Sequence, residues 1–283
     1  MCPFFRGKPK SRKIIHKMNF AKKLSVGLML FSLAHFCPAD TVAFFYALDK
    51  DLETLKVEAQ LAGQSLKIGG RGVQTLSLGA HRIYAVKMGS GAVETAASAQ
   101  ALLARIKCDE AFSVGPVGGI ADKLEIGTWH NVTAATAYQK GSWTKTGFQL
   151  SGGAEWKLTN SPPTNLPALF QKLDGIQIAS GEIFVASDNY RVQLHETTKA
   201  DAVDMNLFGL LTVCADHKLP VCCWRIVSDH ADDNASEDFR KFVANYDGAG
   251  GKAVAEVIKN LPANPNSPDS YPNLRKILSE PAK

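Results

Sequence analysis

From Val42 onward the chain alternates between apolar runs of strand length and stretches with apolar residues at helical spacing. Val42–Tyr46 is an uninterrupted apolar run, and Leu48, Leu52, Leu55 and Leu61 follow near a helical period, which predicts a strand and then a helix. Residues Gln74–Leu78 and Arg82–Lys87, separated by Gly79-Ala80-His81, predict a hairpin. The Ala-rich stretch from Gly91 to Ile106 predicts a helix, and Glu110–Val114 a central strand that ends in a glycine-rich turn, Gly115–Gly119. Trp129–Ala137 and Gln177–Ala179 read as further strands. Pro162, Pro163 and Pro167 mark a loop before a short helix near Ala168–Leu173. Val203–Asp216 is expected to be helical, Pro220–Val227 a buried strand, and Ser236–Leu261 one long closing helix.

This alternation predicts an α/β fold: a single domain with a central mixed β-sheet flanked by helices. The body that follows residue 40, roughly 240 residues long, is at the upper end of the ordinary domain range. No internal repeat is visible. The 45% hydrophobic content suffices for a sizeable core.

Charge changes the picture only once it is divided. The net charge of +5 arises in residues 1–39, which hold eight Lys or Arg and no acid, whereas 24 basic and 26 acidic residues follow from Thr41 onward. A phosphate-backbone binder needs basic residues clustered on its folded part, so nucleic acid is not an expected partner.

The first forty residues read as a leader. Lys22-Lys23 precede thirteen uncharged residues, Leu24 to Phe36, and then Cys37-Pro38-Ala39, the order of a secretory signal, with Met18 as a possible alternative start. The apolar run is too short to span a membrane comfortably. The leader implies export or a periplasmic location. Cysteine usage points the other way: Cys108, Cys214, Cys222 and Cys223 form no dense framework, which favours a reducing, cytoplasmic compartment. Cys222-Cys223 sit in an apolar run, where free cysteine acts as a small hydrophobe. No Cys-x-x-Cys spacing suggests zinc, and neither metal nor cofactor is expected. The domain is read as residues 41–262, and residues 263–283 as a Pro-rich tail.

Two segments could carry chemistry. Gly115-Pro116-Val117-Gly118-Gly119 follows a predicted strand, so its backbone could approach a ligand without Cβ obstruction, yet it reads equally as a tight crossing. It is neither Gly-x-Gly-x-x-Gly nor a Walker loop. Arg225-Ile226-Val227-Ser228-Asp229-His230-Ala231-Asp232 ends a buried strand, where open α/β sheets present functional side chains. Asp229 alone reads as well as a helix cap. Ser228 lacks the Gly-x-Ser-x-Gly context of a hydrolase nucleophile.

Five motifs in fixed order alter that balance. Ala47-Leu48-Asp49-Lys50-Asp51 matches Ala-Met-Glu-Glu-Glu after an opening strand, and Gly115–Gly119 matches Gly-Ser-Ala-Gly-Gly. Ser180-Gly181-Glu182-Ile183-Phe184-Val185 matches Ser-Gly-Asp-x-Phe-Ile, Ala202-Val203-Asp204-Met205-Asn206 matches Ala-Val-Glu-Met-Glu, and Arg225–Asp232 matches Arg-x-x-Ser-Asp-x-Ala-Asp. In these motifs, over about Val42 to Leu261, the chain resembles the 5′-methylthioadenosine/S-adenosylhomocysteine nucleosidases of the purine nucleoside phosphorylase superfamily.

The resemblance implies hydrolysis of the N-ribosidic bond of a 5′-modified adenosine (methylthioadenosine, S-adenosylhomocysteine or aminodeoxyfutalosine), releasing adenine, by a dimer that binds a small-molecule nucleoside. Asp229 matches the acid that protonates purine N7, which requires a carboxyl whose pKa is raised by burial. Asp51 matches the carboxylate that positions water, one methylene shorter than the usual Glu. Phe184 matches the base-stacking residue, Val185 the backbone partner of the base edge, and Met205 the ribose contact, while Gly118 and Ser228 complete the expected binding set. Asn206 departs from the family, standing where a Glu binds the sugar hydroxyls. An amide cannot offer the negative charge that favours an oxocarbenium-like transition state, so altered preference or weaker catalysis is expected. Asp204, on a helix, would face elsewhere.

A phosphorylase of the same superfamily is the alternative. Phosphate as nucleophile demands fixed cations, yet Lys50 is the one cation between Val42 and Glu53, and Met88-Gly89-Ser90-Gly91 holds no Arg. Water is therefore the expected nucleophile. A non-catalytic nucleoside-binding protein is the second alternative, suggested by Asn206 and the leader.

Overall fold

The computed structural model describes residues 41–59, 63–151, 155–158 and 173–261. The leader, the tail and the expected helix over 168–172 lie outside them. Its first strand, β1 (Thr41–Tyr46), is buried along five consecutive residues, as an apolar run covered on both faces must be. Helix α1 (Asp49–Ala59) opens with Asp49 and Asp51 in its first turn, where the helix dipole favours acids.

Strands β2 (Ser65–Ile68), β3 (Arg71–Leu78) and β4 (His81–Lys87) form an antiparallel meander, with Gly79 at φ +60° in the β3–β4 turn. Helix α2 (Ala92–Leu103) follows, and Gly91, at φ +100°, occupies its N-cap.

The glycine-rich segment departs from expectation. It is not a turn: β5 runs unbroken from Glu110 to Gly119. Its first half pairs with β1, and its last residues, Gly118 and Gly119, pair with β11 (Ala202–Asp204). One long strand therefore belongs to two neighbourhoods, and its glycines permit the close crossing that this requires. An ideal Cβ on Gly115 would lie 3.0 Å from that of Ala47.

Strand β6 (Trp129–Ala137) is followed by the β7–β8 hairpin (Gly141–Thr144 and Gly147–Leu150), by β9 (Glu155–Lys157) on the β6 edge, and by β10 (Gly175–Ser180). The hairpin apart, and with β12 spanning Val221–Asp229, the strand order is β11-β10-β6-β12-β5-β1-β4-β3-β2, and the extra β11–β5 pairing closes β5, β12, β6, β10 and β11 into a ring. Parallel and antiparallel pairs coexist, as the hairpins predicted.

Helix α3 (Asp188–Thr198) starts at Ser187, whose hydroxyl accepts from the Tyr190 N–H. The expected helix over 203–216 divides into β11 and α4 (Leu207–Asp216). Buried Asp204 ends β11, and its carboxylate takes the Asn206 and Leu207 N–H groups, so the side chain that stops the strand also starts the helix.

Strand β12 (Val221–Asp229) is buried at all nine positions, with Trp224 stacked on Phe112 and Cys222 and Cys223 as free, apolar fillers. The closing helix is likewise two: α5 (Ala235–Asn245) and α6 (Ala249–Lys259), broken by extended Tyr246 and by Gly248 at φ +79°. A Cβ on Gly248 would stand 2.5 Å from the Lys50 carbonyl oxygen, so the break is dictated by close contact with α1. Helices pair α1 with α6 and α2 with α4 against the sheet. No helix among the described residues is long and apolar enough to cross a membrane.

Candidate active site

The strand ends β5, β11 and β12 meet around a cavity of about 190 Å³. Asp229, the last residue of β12, lines it and is 2% exposed. Two local features aim this carboxylate. First, the β12–β5 register slips between Val227 and Asp229, leaving Ser228 as the extra residue of a bulge, a device that turns a side chain out of its normal alternation. Second, Ala231 adopts φ +55°, and its N–H donates to Asp229 Oδ1 at 2.9 Å. Ser228 donates its hydroxyl proton to Asp229 Oδ2 at 2.7 Å or to the Val117 carbonyl at 3.0 Å.

Burial raises the pKa of Asp229, and the donors Ser228 and Ala231 oppose that shift without cancelling it. The carboxyl thus holds its proton more firmly than a free aspartic acid. Gly118 makes room for it, because an ideal Cβ there would sit 2.8 Å from Asp229 Oδ1, 3.1 Å from Ala231 Cβ and 3.3 Å from Val203 Cγ1.

Phe184, Val185, Met205 and Asn206 line the same cavity, so the structure brings together every binding residue expected from sequence. Phe184 is 40% exposed and meets Phe239 of α5 edge to face at 5.7 Å. That leaves a ring accessible for stacking in an apolar corner. Phe239 itself was not legible in the sequence, since nothing local separates it from Phe242, which packs on the core.

Asn206 has a defined task. Its amide donates to the Gly89 carbonyl and, at 2.9 Å, to Thr95 Oγ1, tying the Met88–Ser90 wall to α2. A carboxylate in that position would set oxygen against the Gly89 carbonyl. Asn is therefore fitted to these neighbours.

Asp204 corrects its expectation. Instead of facing away on a helix it lines the cavity at the end of β11, 3.3 Å from Arg225 Nε in an ion pair whose side chains are both 1% exposed. Arg225 Nη1 also donates to Ser113 and to the Trp224 carbonyl. This buried pair joins β12 to β11 and so fixes Asp229 relative to Met205 and Asn206. Removing one partner of such a pair typically costs about 3–5 kcal/mol.

Asp51 is the main departure. It does not line the cavity: it is 0% exposed, and its Oδ1 accepts from Tyr246 Oη at 2.6 Å and from Gly251 N at 3.0 Å. The cause lies in α6. Gly250 and Gly251 carry no side chains, and a Cβ on Gly251 would lie 1.9 Å from the Asp51 carbonyl oxygen, so α6 presses its first turn onto α1 and captures the carboxylate. Burial raises the Asp51 pKa to about 6. The expected placing of water by Asp51 is thus not supported by this geometry.

Lys87 is the one cationic side chain among the described residues lining the cavity, and it is paired with Asp49 at 2.7 Å. Among the described residues no group of three or more His, Cys, Asp or Glu could hold a metal ion.

Residues 41–259 match the family described as the Phosphorylase superfamily, and the chain belongs to that family. Among solved structures it is similar to the futalosine hydrolase of Helicobacter pylori, with 18% identity over 79% of this chain and 99% of that one and a TM-score of 0.70. An Asp-to-Asn variant of the H. pylori 5′-methylthioadenosine/S-adenosylhomocysteine nucleosidase, solved with 5′-methylthioadenosine in the active site, shares 18% identity over 78% of this chain and 99% of that one, at a TM-score of 0.70. The corresponding nucleosidase of Neisseria meningitidis, in complex with methylthio-immucillin-A, is 22% identical over 78% and 100% of the two chains, at a TM-score of 0.65. At these identities the likeness establishes the fold.

Proposed function

We propose that the protein hydrolyses the N-ribosidic bond of a 5′-modified adenosine, releasing adenine. One observation carries this reading: a buried carboxyl with a raised pKa, Asp229, shares a cavity with an accessible aromatic ring, Phe184. Cleaving the bond between C1′ and N9 drives an electron pair into the purine. Asp229 offsets that charge by giving its proton to N7, and a water oxygen bonds to C1′, losing its proton to solvent. Phe184 stacks on the base, Val185 offers backbone hydrogen bonds to its edge, and Met205 packs on the ribose. Gly118 and Ser228 keep the acid in place. With Asp51 held by Tyr246 and Gly251, Ser90 and the side-chain oxygen of Asn206, which line the cavity, receive water and the sugar hydroxyls.

The nucleosidase neighbours support the same chemistry, since their bound ligands are a nucleoside and a nucleoside analogue. Methylthioadenosine, S-adenosylhomocysteine and aminodeoxyfutalosine are the proposed substrate set, a homodimer the proposed assembly, and residues 1–40 a cleaved export leader. The deciding experiment incubates the protein with each nucleoside and quantifies free adenine by chromatography, with and without phosphate. Adenine in both conditions is the expected result; ribose 1-phosphate formed only with phosphate would replace hydrolysis by phosphorolysis, and nucleoside binding without free base would make this a binding protein. A mature N-terminus near Asp40 would establish the leader.

A further inference from the structure

We infer that Lys87 is a specificity-determining residue that receives an anionic group at the tip of a 5′ substituent, so that the cavity favours a nucleoside with a carboxylate-tipped 5′ arm over one ending in a neutral methylthio group; the inference rests on the nucleosidase reading. The cavity has two unlike ends. Asp229, Phe184 and Val185 line one, where the base is placed. Lys87, the last residue of β4, lines the other beside Ala47 and Leu48. In the strand order β12-β5-β1-β4, Lys87 is three strands from Asp229, about 14 Å at the spacing of neighbouring strands. It is also set back along them: Lys87 is level with Tyr46 and Val114, whereas Asp229 is level with Gly118, four residues or about 13 Å further on. A nucleoside that takes the Asp229 proton at N7 therefore meets Lys87 through an arm extending from C5′ rather than through its ribose.

The lining defines that arm. Ala47, Leu48 and Met88 are apolar, and Met88 is fixed by the Ser113 hydroxyl, which donates to its sulfur at 3.8 Å, and by its own N–H, which donates to the Tyr46 carbonyl at 2.8 Å. A thioether, alkyl or aryl arm fits such a stretch, and a charge fits only its end. There the half-exposed Lys87 commits one donor to Asp49 at 2.7 Å; an ammonium has three, so two remain for a ligand. The other charged residues lining the cavity among the described residues are Asp204, matched by buried Arg225, and Asp229, which acts in its protonated form. A carboxylate that reaches Lys87 thus meets no unmatched like charge in the lining, and Asp49, on the same ammonium, limits the gain. Of the proposed substrates, S-adenosylhomocysteine and aminodeoxyfutalosine carry a carboxylate on the 5′ arm, and methylthioadenosine does not.

The test uses titration calorimetry on the full chain carrying Asp229→Asn, so that ligand is not consumed, alone and combined with Lys87→Met or Asp49→Asn. The ligands are a 5′-deoxyadenosine bearing a carboxypropylthio arm and its carboxamide, equal in length and uncharged. With Lys87 and Asp49 intact the acid is expected to bind about two- to fivefold more tightly than the amide, the range of a solvent-exposed ion pair, and the advantage should shrink with added sodium chloride. Asp49→Asn should widen the ratio, and Lys87→Met should bring it to one or below. Because a ratio is read, general weakening by a substitution cancels. Equal affinity for acid and amide with Lys87 present, or a preference for the acid that survives Lys87→Met, would overturn the assignment. Absence of binding by either compound would overturn it together with the nucleosidase reading, whereas the expected ratios without adenine release by the wild type would count against hydrolysis alone.

Discussion

Asp229 and Asp51 are both buried aspartates whose pKa burial raises, and they stand at strand and helix ends on the same core. They differ in what surrounds them. Around Asp229 a bulge, a left-handed Ala231 and the missing Cβ of Gly118 open the carboxyl toward a cavity. Around Asp51 the missing side chains of Gly250 and Gly251 have the opposite effect, bringing α6 down until a tyrosine hydroxyl and a backbone N–H take one oxygen. Glycine beside an acid can expose it or seal it in, depending on whether the space it leaves is filled by ligand or by backbone. A raised pKa alone therefore does not mark a catalytic acid, and access to the cavity separates the two.

The comparison is broken most sharply at Asp229. Asp229→Asn keeps an acceptor for Ala231 but has no acidic proton, and should lower adenine release about 10²–10⁴-fold at unchanged melting temperature. In the wild type, turnover should fall as pH rises through the raised Asp229 pKa, since only the protonated carboxyl can donate. A variant that retains full activity would remove Asp229 as the acid.

Gly118→Ala tests the geometry of the same region. With its Cβ 2.8 Å from Asp229 Oδ1, the carboxyl must move, and displacement on that scale should lower turnover by about 10²-fold. An unimpaired Ala variant would show that the close approach is irrelevant to the chemistry.

The smallest catalytic effect is expected at Asp51. Because its pKa is raised from 3.8 to about 6, its favourable contribution to stability is complete below the unfolded value and is lost as pH rises through the folded one. That shift corresponds to about 3 kcal/mol for this group. Denaturant titrations of Asp51→Asn should accordingly lack this decline between about pH 4 and 6, while adenine release changes less than about threefold. A large catalytic loss with an unchanged stability profile would return Asp51 to the chemistry.

Much of the fold was legible because burial leaves continuous apolar runs. Val42–Tyr46, Trp129–Ala137 and Val221–Val227 are strands as their patterns require. The errors share one origin, namely contacts made by residues distant in sequence. Gly115–Gly119 looks like a turn locally, but β12 and β11 supply pairing that keeps it extended. Residues 203–216 have helical composition throughout, yet β10 and β5 recruit Ala202–Asp204 as a strand. The closing helix breaks because Tyr246 and Gly248 meet α1.

The order of residue types along the chain by itself determined the α/β class and singled out Asp229, Phe184, Val185, Met205 and Asn206, which line one cavity, since motif order survives any detail of packing. Tertiary structure alone decided that Asp51 is enclosed, that Asp204 pairs with Arg225, that Phe239 joins the cavity and that Lys87 pairs with Asp49. Each of these depends on the distance between segments remote in sequence, and only the packing of backbone against backbone sets it.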